Sequence, residues 1–319
     1  MTGTVYKSTG SWYSIKAENG IFYECRIKGK FRIKGIKNTN PVAVGDKVIF
    51  TLETKNDEVT GVITDIEERK NYIIRKSVNL SKQTHILASN IDSLFLIVTL
   101  KNPITSTSFI DRILVTAEAY HIKTVIVFNK LDIYSPDELN EVNYLTAIYR
   151  DIGYECIGVS ASTKKNIDKL KSLMTKKTSI FAGHSGVGKS TLINTIEPTL
   201  NLKTKEISEQ HLQGQHTTTF AEMFDLSFDA RIIDTPGVKG FGIVDMEKEE
   251  VANYFPEFFK LKQDCKFNNC LHLKEPGCAV KASLDNDSVA WSRYQSYLQI
   301  VEGDDENYRK DSWEEEEEA

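Results

Sequence analysis

Residues 183 to 191 read GHSGVGKST, and Gly183 to Ser190 fit the spacing G-x-x-x-x-G-K-S of a phosphate-binding loop. Glycines so spaced let backbone N–H groups curl around phosphate oxygens, and the helix that follows adds the positive end of its dipole. Lys189 can then reach the β and γ phosphates, and Ser190 can ligate Mg²⁺. The candidate phosphate-binding residues are Gly183, His184, Ser185, Gly186, Val187, Gly188, Lys189, Ser190 and Thr191. Asp234-Thr235-Pro236-Gly237 follows the apolar run RIID, where Asp234 could hold Mg²⁺ through water and the Gly237 N–H could meet the γ-phosphate. Asn129-Lys130-Leu131-Asp132 is an N-K-x-D motif, and Ser160-Ala161 ends the next apolar run. A carboxylate such as Asp132 accepts two hydrogen bonds from the N1–H and N2–H₂ of guanine, whereas adenine presents no matching pair of donors. The set therefore points to GTP rather than ATP.

A second constellation lies near the C-terminus. Cys265, Cys270, His272 and Cys278 are spaced C-x4-C-x-H-x5-C, three thiolates and an imidazole that can close a tetrahedral, structural zinc site. The other reading is of reduced cysteines buried as small hydrophobes. Five cysteines in a chain of 319 residues are an odd number and argue against a disulfide framework. Cys25 and Cys156 sit in strand-like runs and read as core.

The elements that must position these groups change character along the chain. In the first 70 or so residues, runs such as GIFYECRIK, VGDKVIFTLE and EVTGVITDIEE are rich in β-branched and aromatic residues with turn formers between them, which predicts a small all-β barrel. Arg26, Lys28, Lys30, Arg32 and Lys34 alternate there and would share one face of a strand, followed by Lys37 with no acid among the six. That stripe reads either as a charged edge that discourages aggregation or as an RNA-binding face of an OB-type barrel. Beyond it, buried-strand runs at 93–100, 124–129, 154–161, 178–183 and 230–235 alternate with helical periods, one through Phe109, Ile113, Ala117 and Tyr120, the next through Leu139, Val142, Leu145, Ile148 and Ile152. Alternation of that kind predicts a parallel sheet covered by helices, with ligands at the carboxyl ends of its strands. EEVANYFPEFF and SVAWSRYQSYLQIV read as helices pinned together by the cysteine loop.

The motifs run base reader, Ser-Ala, phosphate loop, threonine-rich segment and D-x-x-G, a rotation of the order in Ras-like GTPases. The nucleotide domain is therefore expected to be circularly permuted, with the segment after Gly237 leading straight into the C-terminal domain, where it could report the γ-phosphate. With NKLD, SA, GHSGVGKST, GQHTTT, DTPG and the cysteine–histidine cluster in place, the chain resembles the RsgA (YjeQ) family of circularly permuted GTPases dependent on the small ribosomal subunit. The resemblance implies an OB-fold domain, a permuted GTPase domain and a helical zinc domain, acting in late maturation of the small subunit with ribosome-stimulated hydrolysis of GTP to GDP and phosphate. The expected division is 1–72, 73–244, 245–303 and an acidic tail 304–319.

In Ras a glutamine after D-x-x-G orients the attacking water; here that position is Val238. His216 in GQHTTT is the nearest polar candidate for that role, the alternative being a surface residue of a mobile loop, and one of Thr217, Thr218 and Thr219, taken as Thr218, would ligate Mg²⁺. The expected cofactors are one structural Zn²⁺ and Mg²⁺ with GTP. The expected partners are GTP or GDP and the small ribosomal subunit with its rRNA, with no membrane and no second copy of the chain. The N-terminus MTGTVYKSTG lacks the apolar run of a signal peptide and no stretch reaches the length of a membrane span, so a cytoplasmic location is expected. The formal net charge is −5, of which EEEEE at 314–318 supplies all, in a tail that reads as disordered. Two other classes stand beside this reading: an RNA-binding scaffold that holds GTP without ribosome-stimulated turnover, and an ATP-dependent enzyme, which Asp132 disfavours.

Overall fold

Strands with one covered face should alternate: β2 (Tyr13–Ala17) places buried and half-buried residues in turn, and β1 (Thr2–Ser8) does so except at Val5 and Tyr6, both buried, where its register against β2 shifts. With β3 (Phe22–Ile27), β4 (Lys47–Lys55) and β5 (Glu58–Ile66) they follow the order β1-β2-β3-β5-β4, and β4 returns to β1 through Thr2↔Ile49, Gly3↔Val48 and Thr4↔Lys47. The sequence predicts a small all-β barrel, and the structure shows it as a closed barrel of five strands. Its interior is filled by Val5, Tyr13, Ile15, Cys25, Val48, Phe50 and Ile63. The computed structural model describes residues 1–27, 41–55, 58–76, 84–201, 221–234 and 246–303. A hairpin of β6 (Tyr72–Lys76) and β7 (Thr84–Ser89) comes next, tied to the barrel by a bridge between Val44 and Ala88.

The second unit alternates strand and helix: β8 (Ser93–Val98), α1 (Thr107–Ala119), β9 (Lys123–Phe128), α2 (Pro136–Ile152), β10 (Glu155–Gly158), α3 (Ile167–Met174), β11 (Thr178–Ala182) and α4 (Lys189–Ile196). β12 (Glu222–Leu226) and β13 (Ala230–Asp234) complete it. Strands β10, β9, β8, β11 and β13 are parallel neighbours in that order. All six residues of β8 are buried because helices cover both faces: Leu94, Leu96 and Val98 pack with α1 and α2, while Phe95 and Ile97 pack with α3 and α4. The five strands expected to be parallel are so, and one further strand joins them. β12 runs antiparallel to β13 through a tight turn, and Lys7 of β1 pairs with Glu222 of β12, so barrel and sheet form one continuous eleven-stranded surface.

The C-terminal unit contains α5 (Lys248–Val251), α6 (Pro256–Leu261), α7 (Ala279–Ala282) and α8 (Trp291–Glu302) around Phe255, Phe258, Tyr294 and Tyr297. EEVANYFPEFF is not one helix. Pro256 cannot donate to a preceding turn, so it opens a new helix, with a 3₁₀ turn at Ala252–Tyr254 between the two. Val115 of α1 joins this core, and Arg293 of α8 is buried against α1 with its Nη1 2.6 Å from Asp111 Oδ1. Its Nε lies 2.7 Å from Glu257, its guanidinium carbon 4.5 Å from the centre of the Phe255 ring, and Tyr149 of α2 donates its hydroxyl to the same Asp111 oxygen at 2.8 Å.

Candidate nucleotide site and cysteine–histidine cluster

Asn129 follows β9, Ser160 follows β10, Gly183 follows β11 and Asp234 closes β13, so the motifs meet at one edge of the sheet, the carboxyl ends of its strands. The phosphate loop leaves β11 with Gly183 at φ 142° and enters α4 through Gly188 at φ 92°. A Cβ on Gly188 would stand 2.6 Å from Asn129 Nδ2 on a backbone at φ 92°, a conformation side chains rarely adopt, so glycine suits this close approach.

Two bonds lock those loops together: Asn129 Nδ2 donates to the Val187 carbonyl at 2.8 Å, and Lys130 Nζ donates to the Gly186 carbonyl at 2.8 Å and to that of Asn102. Asn129 is buried, and its Oδ1 is an acceptor with no partner among the described residues. Lys189 Nζ spans the loop, donating to the carbonyls of Gly183 at 2.7 Å and His184 at 2.5 Å. Phosphate oxygens are better acceptors than those carbonyls and lie where a loop of this shape directs its N–H groups. Ser190 and Thr191 occupy the first turn of α4, and Ser185 and Gly186 are exposed at the loop's tip.

At the base-reading end, Asp132 Oδ1 accepts from the Ser160 hydroxyl at 2.5 Å and Oδ2 from the Ser162 hydroxyl at 2.7 Å. These two donors, Ser160 first, hold the Asp132 carboxyl below its ordinary value, so it stays ionised as an acceptor pair. Ser160 is fully buried and Ala161 half-buried, packed against the core under α3. Ser162 escaped the sequence reading, although S-A-S placed a second hydroxyl only two residues on. Phe109 was legible only as part of a helix face; its ring stacks on His184 of the phosphate loop with centroids 3.8 Å apart. Asp234 is half-buried, and burial pushes its carboxyl up, with Glu222 adding to the rise and Lys189 opposing it. A cation beside it would reverse that shift. Gly237 and Val238, the segment with Gly214, His216, Thr217, Thr218 and Thr219, and Lys28, Lys30, Arg32, Lys34 and Lys37 lie outside the described residues, as does the acidic tail. Arg26, the last residue but one of β3, is exposed, 3.6 Å from Glu53.

The ligand atoms of Cys265, Cys270, His272 and Cys278 all lie within 4.8 Å of one another. His272 turns its Nδ1 toward the sulfurs, 3.3 Å from Cys278 Sγ and 3.7 Å from Cys265 Sγ. The backbone N–H groups of Ala279 and Lys281 point at the Cys265 and Cys278 sulfurs from 3.4 Å, an arrangement suited to thiolates. Burial pushes the Cys270 thiol up to about 12 and Cys278 upward too, and a divalent cation among the sulfurs removes that penalty. Tyr294 and Tyr297 of α8 donate to the carbonyls of His272 and Leu271, and Glu275 accepts from the N–H groups of Leu271 and Leu273. The set can hold a metal ion. Cys25 and Cys156 are buried in their strands, as expected for core.

The family model described as RsgA GTPase matches residues 66–244, and that of the RsgA N-terminal domain matches residues 2–63. The chain belongs to the RsgA GTPase family. Among its relatives, the small ribosomal subunit biogenesis GTPase RsgA of Christiangramia forsetii is 70% identical over 98% of this chain and 99% of its own length. Its counterpart in Flavobacterium johnsoniae is 67% identical over 98% of this chain and 96% of that one. Among solved structures, YjeQ from Thermotoga maritima matches with TM-score 0.78 at 35% identity, covering 95% of this chain and 97% of its own. YloQ, described as a circularly permuted GTPase, matches with TM-score 0.73 at 29% identity, covering 95% and 94%. Membership makes the chain a GTPase of permuted topology, in line with the motif order. Among the described residues no helix is long and apolar enough to cross a membrane.

Proposed function

We propose that this chain hydrolyses GTP to GDP and phosphate on the small ribosomal subunit during its late maturation, with turnover stimulated by the subunit. The observation that carries the reading is the Asn129–Val187 bond, which fixes a guanine-reading loop to a phosphate loop as one site. Asp132 takes the guanine N1–H and N2–H₂, Asn129, Lys130, Ser160 and Ala161 frame the base, and the loop from Gly183 to Thr191 wraps the phosphates, with Lys189 on the β and γ oxygens. Ser190 and Thr218 would hold Mg²⁺, with Asp234 behind a water, and that ion supplies charge neutralisation on the phosphates. Gly237 would donate its N–H to the γ-phosphate, and His216 would orient or deprotonate the attacking water.

Cys265, Cys270, His272 and Cys278 hold one structural Zn²⁺ in this reading, and Arg26, Lys28, Lys30, Arg32 and Lys34 contact rRNA. The chain divides into a barrel domain at 1–72, the GTPase domain at 73–244, the zinc domain at 245–303 and the acidic tail at 304–319, and acts as a cytoplasmic monomer. The name shared by the relatives from C. forsetii and F. johnsoniae supports the ribosomal assignment. The test is GTP turnover with and without purified small subunits, for wild type and His216→Ala. Stimulation of the wild type is expected, and the variant should bind GTP and subunits while losing about 10²-fold or more of stimulated turnover. A wild type that subunits do not stimulate contradicts the reading, and a fully stimulated variant removes His216 from it.

A further inference from the structure

A cleft of about 260 Å³ opens where the barrel meets the GTPase sheet, lined by Lys16, Lys176, Lys177, Arg231, Asp225 and Asp229 among others. It is not part of the nucleotide site. Lys176 and Lys177 precede β11 while the phosphate loop follows it, and five strand residues at about 3.3 Å each set the two regions roughly 17 Å apart. From the placement and chemistry of its lining, we infer that this cleft is a second RNA contact, gripping the phosphodiester backbone of a single strand.

Sheet register builds the cleft's floor. Phe22 pairs with Lys16, Lys16 with Thr4, and Asp225 with Arg231, while Lys16 Nζ crosses β1 to reach Asp225 Oδ2 at 2.5 Å. Directly paired residues share a face, so Phe22, Lys16, Asp225 and Arg231 form one row across the domain junction. The charges do not cancel: four cations face two acids, and Asp225 is already engaged by Lys16 and by the Tyr6 hydroxyl at 2.7 Å. Lys176, Lys177 and Arg231 make no ion pair among the described residues. The chain as a whole is acidic, so this surplus is local.

An aromatic ring stands beside the row of cations: Phe22 is 50% exposed, with Lys16 Nζ 5.7 Å from its ring centre. A basic groove edged by aromatic rings is how single-stranded nucleic acid is held, with phosphates on the cations and bases on the rings. Such a contact would couple the subunit to the junction of barrel and GTPase domain. Its biological partner rests on the ribosomal function proposed above.

The test measures the affinity of the full chain for a fluorescein-labelled 12-nucleotide single-stranded RNA across a salt series, with small subunits in a parallel arm. The triple variant Lys176→Glu, Lys177→Glu, Arg231→Glu should keep GTP affinity, lose about tenfold or more of RNA affinity, and flatten the salt slope by about 2, three lost contacts at roughly 0.7 each. Asp229→Asn removes an acid yet tolerates the left-handed turn at φ 57°, and should tighten RNA binding. A matched reversal of Lys248, Lys260 and Lys274 in the C-terminal unit changes net charge equally and should leave most of the affinity. Equal affinity of wild type and the cleft triple, an equal loss in the matched triple, or weaker binding by Asp229→Asn would overturn the inference. A wild type that fails to bind subunits contradicts the proposed function instead, and leaves the RNA arm to decide the cleft.

Discussion

The nucleotide site and the cysteine–histidine cluster are built on opposite principles. The first draws Asn129, Asp132, Ser160, Lys189 and Asp234 from four strand ends spread over more than a hundred residues, each placed by the strand that precedes it. The second takes its four side chains from one loop of 14 residues, 265 to 278, carried by short helices and a 3₁₀ turn. At the first site the fold makes the ligand pocket. At the second, a bound ion would complete the fold, because short helices are not stable alone.

The sharpest way to break that contrast is Cys270→Ser, or removal of metal with a chelator. Ion binding of this type contributes on the order of 10 kcal/mol to folding, so α6 to α8 should lose hydrogen-exchange protection while GTP affinity of the remainder persists. Retained protection in that unit would place its stability in Phe255, Phe258 and Tyr297 instead. A smaller effect is expected where the two units join. Arg293→Ala strips the partner from the buried Asp111 carboxylate and should cost about 3–5 kcal/mol in urea unfolding, and adding Asp111→Asn should restore part of it. A loss under about 1 kcal/mol would mean the junction is held by apolar contact alone. The smallest effect belongs to the preformed site: Ser162→Ala removes one donor from Asp132 and should weaken GTP binding by about 0.5–1.5 kcal/mol with no change in unfolding. An unaltered affinity would show that Ser160 alone orients the carboxylate.

The same contrast explains what the sequence made legible. Motifs at strand ends are short and local, so the phosphate loop, N-K-x-D, Ser-Ala and the cysteine spacing could be read with their chemistry, as could the barrel and the alternating sheet. Contacts between distant segments carry no local signature. Asp111 lies within the helical period of α1, yet its partner Arg293 is 182 residues away, and nothing in the spacing of either announces the pair. The antiparallel β12 escaped because EMFDL is short and its partners, β13 and β1, are set by tertiary register. Pro256 was visible in the sequence, and its break of the helical run follows from the missing N–H; the period of the surrounding apolar residues masked it.

The proposed selection of guanine by Asp132, which the Asn129–Val187 bond holds against the phosphate loop, is tested by titrating fluorescent GTP and XTP analogues into wild type and Asp132→Asn. Exchanging one acceptor oxygen for an amide donor should weaken GTP by roughly 10²-fold or more and shift preference toward the xanthine nucleotide, whose C2 oxygen accepts where guanine donates. An Asp132→Asn protein that binds GTP as tightly as wild type and gains nothing for XTP would remove Asp132 from base selection.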